Sequence, residues 1–409
     1  MKKLCSVVAA GAMVAAGIVP SFAADVDWSG EVRVRYEQIN NKTDRDKDTG
    51  DLDRNTSQRT TINAKVAVDD QTTAFISLRD ARNWGEEGST TSTSSEGTAT
   101  RSDSEVGLSQ GYLEIKNLAG PVGLKIGRQM LAYGNQRIIG HLEWSDGGRR
   151  FDAIKLMVNT EPVDVDLVTA KLSDNGNKTD DTLNILYATL KVIPMNKLDI
   201  YAIQAIAGGD QAGGAHDNTN FMTTGLRLDG KAAGADWTAE YAVQNGDAAD
   251  DGNDISASAY AVTAGYTIPK AANLRIGVEV FSGSGDDDAA DTDEEEWVQL
   301  YPTNHFHYGI NDAGTNWENN TGTALKLSAA PVKGLKVGLE RWQMEHTEDA
   351  NGTTGVDTTE TNIWAKYKVT EKTGLYVYYA MVDQEKDADT ATTPDDQWTK
   401  LGIQLAAKF

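Results

Sequence analysis

The sequence predicts an all-β protein: a transmembrane, antiparallel, up-and-down β-barrel of about 18 strands. Three observations predict it. A two-residue alternation of apolar and polar side chains recurs along the chain, its connections alternate between short and long, and its N-terminus has the form of an export signal.

The N-terminus comes first in order. Met1-Lys2-Lys3 is a short positive start, and Leu4 to Val19 is an unbroken run of apolar, Gly and Ser residues. Pro20-Ser21-Phe22-Ala23 then offers small residues of the kind a signal peptidase reads. The run is short for a spanning helix, so residues 1–23 are expected to be a signal peptide cleaved after Ala23. Residues 24–409 are expected to form one barrel domain, because no linker, Pro-rich hinge or composition break divides them. Cys5 is the only cysteine and lies within the expected signal peptide, so disulfides are expected to contribute nothing to the mature chain.

The chain carries 38 basic and 61 acidic residues, a net charge of −23. Removing residues 1–23 takes away two lysines and leaves −25. This balance argues against nucleic acid as a partner. No later segment has the apolar length of a spanning helix, which is the expected hydropathy of a barrel whose strands each carry a weak signal.

The strands follow one another. Glu31-Val32-Arg33-Val34-Arg35-Tyr36-Glu37 places valines and tyrosine on one side and four charges on the other. The same alternation appears at Ile62/Ala64/Val66, Val122/Leu124/Ile126, Ile154/Leu156/Val158, Trp237/Ala239/Tyr241, Leu335/Val337/Leu339 and Ile363/Ala365/Tyr367. In order, strands are expected to start near residues 28, 58, 73, 105, 122, 150, 163, 182, 197, 220, 235, 255, 274, 322, 335, 361, 374 and 397. Each is roughly ten residues, the length a tilted strand needs to cross a bilayer. Eight connections are short and turn-like, among them Asp69-Asp70-Gln71, Gly230-Lys231 and Glu371-Lys372. Nine are longer and polar, such as 39–57, 85–104, 284–320 and 386–396. Short turns on the periplasmic side and long loops outside are the outer-membrane pattern, and an even strand count puts both termini on the periplasmic side. The last strand, LGIQLAAKF, presents Leu401, Ile403, Leu405, Ala407 and Phe409 on one face. That oily face is expected to meet lipid, with closure pairing this strand to the first. Trp28, Trp237, Tyr187, Tyr241, Tyr266, Tyr367 and Phe409 fit an aromatic girdle.

With the aliphatic face outward, the inward basic residues include Arg33, Arg35, Arg59, Arg79, Lys125, Arg227, Lys326, Lys336, Lys366, Lys368, Lys400 and Lys408. Inward acids, among them Glu31, Glu37, Glu240, Glu279 and Glu340, are fewer. A barrel of this size is wide enough for an aqueous channel, and guanidinium groups offer carboxylates and phosphates a forked fit. The wall therefore points to small polar or anionic solutes.

One stretch differs from the repetitive wall. GRQMLAYGNQRIIGHLEWSDGGRRFDAIKL, residues 127–156, gathers Arg128, Arg137, Arg149 and Arg150 with Tyr133, Trp144 and Phe151. It resembles the core of the alginate export family of outer-membrane barrels. WSGEVRVRYE at 28–37 and FISLRDARNWGEEGS at 75–89 also resemble that family. The resemblance implies an 18-stranded barrel passing an anionic polysaccharide through an arginine-lined, loop-constricted pore. It also implies lumen or constriction roles for Arg128, Gln129, Arg137, Arg149, Arg150 and Asp152, and for Arg33, Arg35, Arg79 and Arg82. A terminal Phe after alternating apolar residues resembles the ending read by the outer-membrane assembly machinery.

DDDAADTDEEE, residues 286–296, packs eight acids into eleven residues and is expected to be a solvated loop tip. Divalent cations bridging to lipopolysaccharide phosphates are the sharper alternative, although the spacing is not that of an EF-hand. No other cofactor is expected. The histidines, 141, 216, 305, 307 and 346, fall in or beside loops; His305-Phe306-His307 could contribute two ligands, yet two residues rarely make a metal site alone. No positioned nucleophile appears, so an enzyme is not expected. Trp342, Trp364 and Trp398 have inward parity, suited to stacking on sugar rings or to packing against an inward loop. Three functions compete: a channel, a plugged barrel acting as a surface binding or structural protein, and a sheath for a periplasmic partner.

Overall fold

A computed structural model describes residues 25–41, 51–85, 106–174, 180–207, 219–248, 254–288, 292–311, 316–348, 356–386 and 396–409. The signal segment, His216 and the tips of the loops at 39–57, 85–104 and 386–396 lie outside the described residues.

The strands are β1 (Val26–Asn40), β2 (Leu52–Ala67), β3 (Thr72–Asn83), β4 (Gly107–Ala119), β5 (Val122–Gln129) and β6 (Phe151–Asn159). Then come β7 (Val163–Ser173), β8 (Asp181–Leu190), β9 (Asn196–Ala207), β10 (Thr219–Ala232), β11 (Ala235–Asp247), β12 (Asp254–Ile268) and β13 (Leu274–Gly283). β14 (Asp293–Glu294) is a two-residue piece, followed by β15 (Asn320–Val332), β16 (Leu335–His346), β17 (Val356–Lys368), β18 (Thr373–Lys386) and β19 (Asp396–Lys408). All but β14 pair antiparallel with their neighbours, and β13 pairs directly with β15. β14 pairs in parallel with the first two residues of β12 and does not interrupt the β13–β15 ladder.

The wall is therefore eighteen strands, as expected. The largest departures are at β2 and β17, whose pairing begins six and five residues before the expected starts. Closure is the antiparallel pairing of β1 with β19, from Glu31↔Lys408 to Asn40↔Thr399. Gly30 and Phe409 add a reciprocal pair of backbone hydrogen bonds at 3.0 and 3.1 Å. A closed ladder leaves no edge, which is what lets strands cross a bilayer. The face of Ile403 and Leu405 is exposed, as are Ile62, Ile126, Leu167, Leu226, Val278, Leu339 and Ile363, so an apolar band surrounds the barrel.

One expected turn shifts. The β10–β11 turn is Ala233-Gly234, not Gly230-Lys231, with φ of +49° and +90°. Two successive left-handed residues make the tight hairpin whose twist matches its strands.

The expectation that each strand keeps its aliphatic face outward fails on one side. On β8, Leu183, Ile185 and Tyr187 are buried inside while Leu186 is exposed outside. Tyr187 is therefore not a girdle residue; its ring stacks between Tyr133 and Tyr201. The reason is that the connection 130–150 and the described residues of the connection 284–319 fold inward. Leu131, Ile138, Ile139, Trp297, Tyr308 and Trp317 from these loops pack with Phe151, Leu183, Ile203, Phe221 and Phe281 of the wall. The barrel thus has a hydrophobic core inside, against β6 to β15.

Candidate functional site: a loop-narrowed lumen

The 130–150 loop is held by wall arginines. Arg33 donates to the carbonyls of Glu143 and Trp144 at 2.9 and 3.0 Å and pairs with the Asp146 carboxylate. Arg35 donates to Trp144 O at 3.0 Å and lies over the Trp144 ring at 4.3 Å. Arg59 donates to Glu143 O at 2.9 Å and meets its carboxylate at 3.2 Å. One Arg79 terminal nitrogen donates to both Glu143 carboxylate oxygens at 3.2 and 3.0 Å, and the other reaches Gly147 O at 2.8 Å. Arg150 adds a 2.6 Å bond to the same carboxylate. A guanidinium with several N–H groups in one plane suits this mixed set of carbonyl and carboxylate acceptors. Gly148 completes the knot. Its φ is +68°, and a Cβ there would stand 2.8–2.9 Å from Arg150, Glu143 and Arg79 atoms.

The electrostatics follow from this crowding. Burial pushes the Glu143 carboxyl up, but Arg59, Arg79 and Arg150 outweigh it and hold it down at about 2. Asp146 is likewise raised by burial and held below the usual carboxylate range by Arg35 and Arg33. Burial lowers the Arg150 guanidinium to about 10, a value at which it stays charged.

The second loop is fastened to the first and to the wall. Arg137 is buried and paired with Glu279, which also meets Lys326 at 2.6 Å. The Arg137 guanidinium lies 5.2 Å from the Tyr308 ring centroid and 5.3 Å from that of Trp317. Arg149 donates to Pro302 O at 2.7 Å. Glu360 of β17 accepts from the Ile310 and Asn311 amides at 2.6 and 3.1 Å. His307 donates to Asn135 O at 2.7 Å, and burial first, then Arg137, keeps its imidazole well below its usual range and neutral. His305 stacks on Trp144 at 3.7 Å. The two histidines thus go to different partners.

Three expected lumen residues are not on the lumen face. Arg128 and Asp152 are cross-strand partners, paired at 3.5 Å, the arginine partly and the aspartate well exposed. They share the parity of the lipid-facing Ile126 and Ile154, while Gly127, Gln129 and Ala153 point inward. Arg82 has the parity of exposed Leu78, not of Arg79, and forks onto Asp80 at 2.8 and 2.7 Å. Gln129 is inward and buried, and donates to Ala153 O at 3.0 Å, so it braces backbone. In the acidic loop, oxygens of Asp286, Asp287 and Glu295 lie within 4.8 Å of one another, a spacing that could hold a cation.

Beside the two loops the wall borders a cavity. A cavity of about 830 Å³ is lined by β16 to β19, with Trp144 and His305 from the loops beside it. It carries five lysines, at 336, 366, 368, 372 and 408, against two acids, Glu340 and Glu371. Trp342, Trp364 and Tyr376 line it as well. The parity of the alternation had put Lys336, Lys366, Lys368 and Lys408 on the inner wall. Nothing in their spacing had separated them from the arginines.

A closed, even-stranded barrel with an apolar outer band, short turns at one end and inward loops from the other defines an outer-membrane protein of the porin type. The sequence profile described as "Alginate export" matches residues 25–357. The chain belongs to the alginate export family. No curated protein matches the sequence. Solved structures share the fold at low identity. Pseudomonas aeruginosa OpdQ is 12% identical, with 94% of this chain and 98% of that one covered at a TM-score of 0.64. P. aeruginosa OpdO is 10% identical, covering 94% and 97% at 0.63. P. aeruginosa OprD is 11% identical, covering 94% and 95% at 0.59.

Proposed function

We infer that the barrel is an outer-membrane channel for small polar or anionic solutes, with an anionic polysaccharide as the form its family suggests. One observation carries this reading: the cavity beside the inward loops is bounded by a lysine-rich wall, although the chain as a whole is strongly acidic. An anion entering it exchanges water for ammonium groups without displacing the arginine fasteners. Arg33, Arg35, Arg59, Arg79 and Arg150 then act on the path indirectly, by setting how far the 130–150 loop reaches across it. Arg137 and Arg149 do the same for the second loop. The reading includes export by a cleaved signal peptide at residues 1–23. It includes lipid and lipopolysaccharide around the apolar band, and delivery by the assembly machinery through β19. It includes no catalytic step.

The test is single-channel conductance of the refolded barrel in a planar bilayer, with reversal potentials in a salt gradient. A steady anion-selective current is expected. Cation selectivity would mean that the acidic loops govern entry. A folded, heat-modifiable barrel with no current would point instead to a plugged surface protein, which the two inward loops make the specific competitor.

A further inference from the structure

The charges of the barrel interior are matched almost everywhere. Arg33, Arg59, Arg79, Arg137, Arg150 and Arg227 each meet at least one carboxylate. Lys326 and Lys400 do too. Lys336 and Lys366 break the pattern. They are direct cross-strand partners on β16 and β17. Like charges at that separation oppose each other. Among the described residues, no carboxylate lies within ion-pair distance of either one. Their neighbours are rings: the Lys366 ammonium stands 5.4 Å from the Trp364 centroid and 4.6 Å from that of Tyr376, and the Lys336 ammonium 5.7 Å from Trp364.

The rings are fixed in place. Trp364 packs over Gly338, where any Cβ would overlap the indole, so the ring lies against the wall. Its Nε1 donates to Glu340 at 3.0 Å, and Trp342 Nε1 donates to the other Glu340 oxygen at 3.3 Å. The Glu340 carboxylate is thereby turned toward two indoles. Tyr376 stands 5.0 Å from Tyr378 and 6.1 Å from Trp144, which brings the loop's own aromatic to the edge of the same cavity.

We propose that Lys336, Lys366, Trp364 and Tyr376 form a binding site for a ring that carries an anionic group, a sugar acid or an aromatic acid. The anion sits between the two ammoniums and relieves their repulsion. The ring lies against the aromatic faces, whose attraction does not depend on which atoms build the ring. The proposal rests on the anion-channel reading and deepens it. A bare anion of equal charge gains only half of the interaction, and a neutral ring gains only the other half.

Equilibrium binding to the full barrel in detergent tests the site without needing a current. The probes are benzoate, glucuronate, acetate and glucose, read by tryptophan fluorescence and by equilibrium dialysis. At least one of the two ring acids is expected to bind at least about tenfold more tightly than acetate or glucose, as one added charged or stacking contact would give. The stronger of the two identifies the source of the ring. Lys366→Gln and Trp364→Leu should each weaken that probe by about tenfold, while Trp364→Tyr should retain most of the binding. Heat-modifiable mobility checks that each variant folds, and Lys336→Gln repeats the charge test from the other strand. Equal binding of all four probes overturns the site, as does undiminished binding in the folded lysine variants. Ring-acid binding without conductance would keep the site and defeat the channel. Anion-selective conductance without a ring preference would do the reverse.

Discussion

The Glu143→Gln substitution tests whether the arginine cluster holds the 130–150 loop across the lumen. Glutamine keeps the shape of the side chain and removes one charge facing Arg59, Arg79 and Arg150. Holding the Glu143 carboxyl at about 2 instead of its ordinary 4.5 corresponds to about 3 kcal/mol of docking energy. That agrees with the roughly 3–5 kcal/mol lost when one member of a buried ion pair is removed. A loss of about 3 kcal/mol raises the undocked fraction of the loop by on the order of 100-fold. Limited proteolysis should then cut the 130–150 segment in the folded barrel. Single channels should show added openings to a larger level with stronger anion selectivity, because the arginines lose their counter-charge.

The same carboxylate fixes a pH dependence. Its value is lower in the docked state than in the free one, so docking is fully supported above about 4.5 and is lost as pH falls toward about 2. Lowering the pH from 7 to 5 should leave conductance through this contact unchanged. Lowering it from about 4.5 toward 2 should reproduce the substitution. Two results would refute the reasoning: a Glu143→Gln channel indistinguishable from the parent at pH 7, or equal pH responses in both below 4.5.

Three further outcomes follow from the same geometry. Arg137→Met leaves Glu279 buried with only Lys326 and should cost about 3–5 kcal/mol, read as a lower heat-modification temperature. Arg137→Met with Glu279→Met and Lys326→Met, which removes all three charges together, should recover much of that loss, and additive losses would show that the groups are not coupled. Arg128→Glu should leave ion selectivity unchanged, because Arg128 faces outward beside Asp152; a shift toward cations would put it back in the lumen. Gly338→Val should push the Trp364 ring into the cavity and lower conductance, and an unaltered current would mean that the path runs elsewhere.

The strand count was readable in the sequence because a barrel writes the same two-residue period on every strand and punctuates it with turn residues. The half-filled interior was less readable. The rule that the aliphatic face is outward assumes one apolar face per strand. Leu183, Ile185 and Tyr187 break it, since Leu186 on the other parity is apolar too. Apolar residues on both parities of β8 were the available signal that something covers the inside. Parity puts the arginines at 33, 35, 59 and 79 on one face, and the structure has all four bonded to the 130–150 loop. Their partners were not visible, because Glu143 lies 110 residues from Arg33 and 84 from Arg59, in a stretch that reads as a loop tip. Family likeness swept Arg128 and Asp152 into the same group. Counting parity back from Ile126 and Ile154 would have removed them.

The interior separates its two kinds of cation by task. Arginines sit where acceptors are fixed and several, as in the Glu143–Gly147 turn, and their planar forks make them fasteners. Lys336, Lys366 and Lys368, unlike the ion-paired Lys326 and Lys400, sit where the wall faces the cavity, and a hydrated ammonium on a flexible stem can meet an anion and let it go. This division makes reciprocal exchange informative. Arg79→Lys keeps the charge but cannot hold Glu143 with one nitrogen and Gly147 O with another on a rigid plane, so it should loosen the loop almost as Glu143→Gln does. Lys366→Arg also keeps the charge, but puts a fork where a point charge stood. It should leave selectivity intact and lengthen the residence of a blocking anion. If instead Arg79→Lys is silent and Lys366→Arg shifts selectivity, charge alone governs this lumen and the geometry of the cations does not.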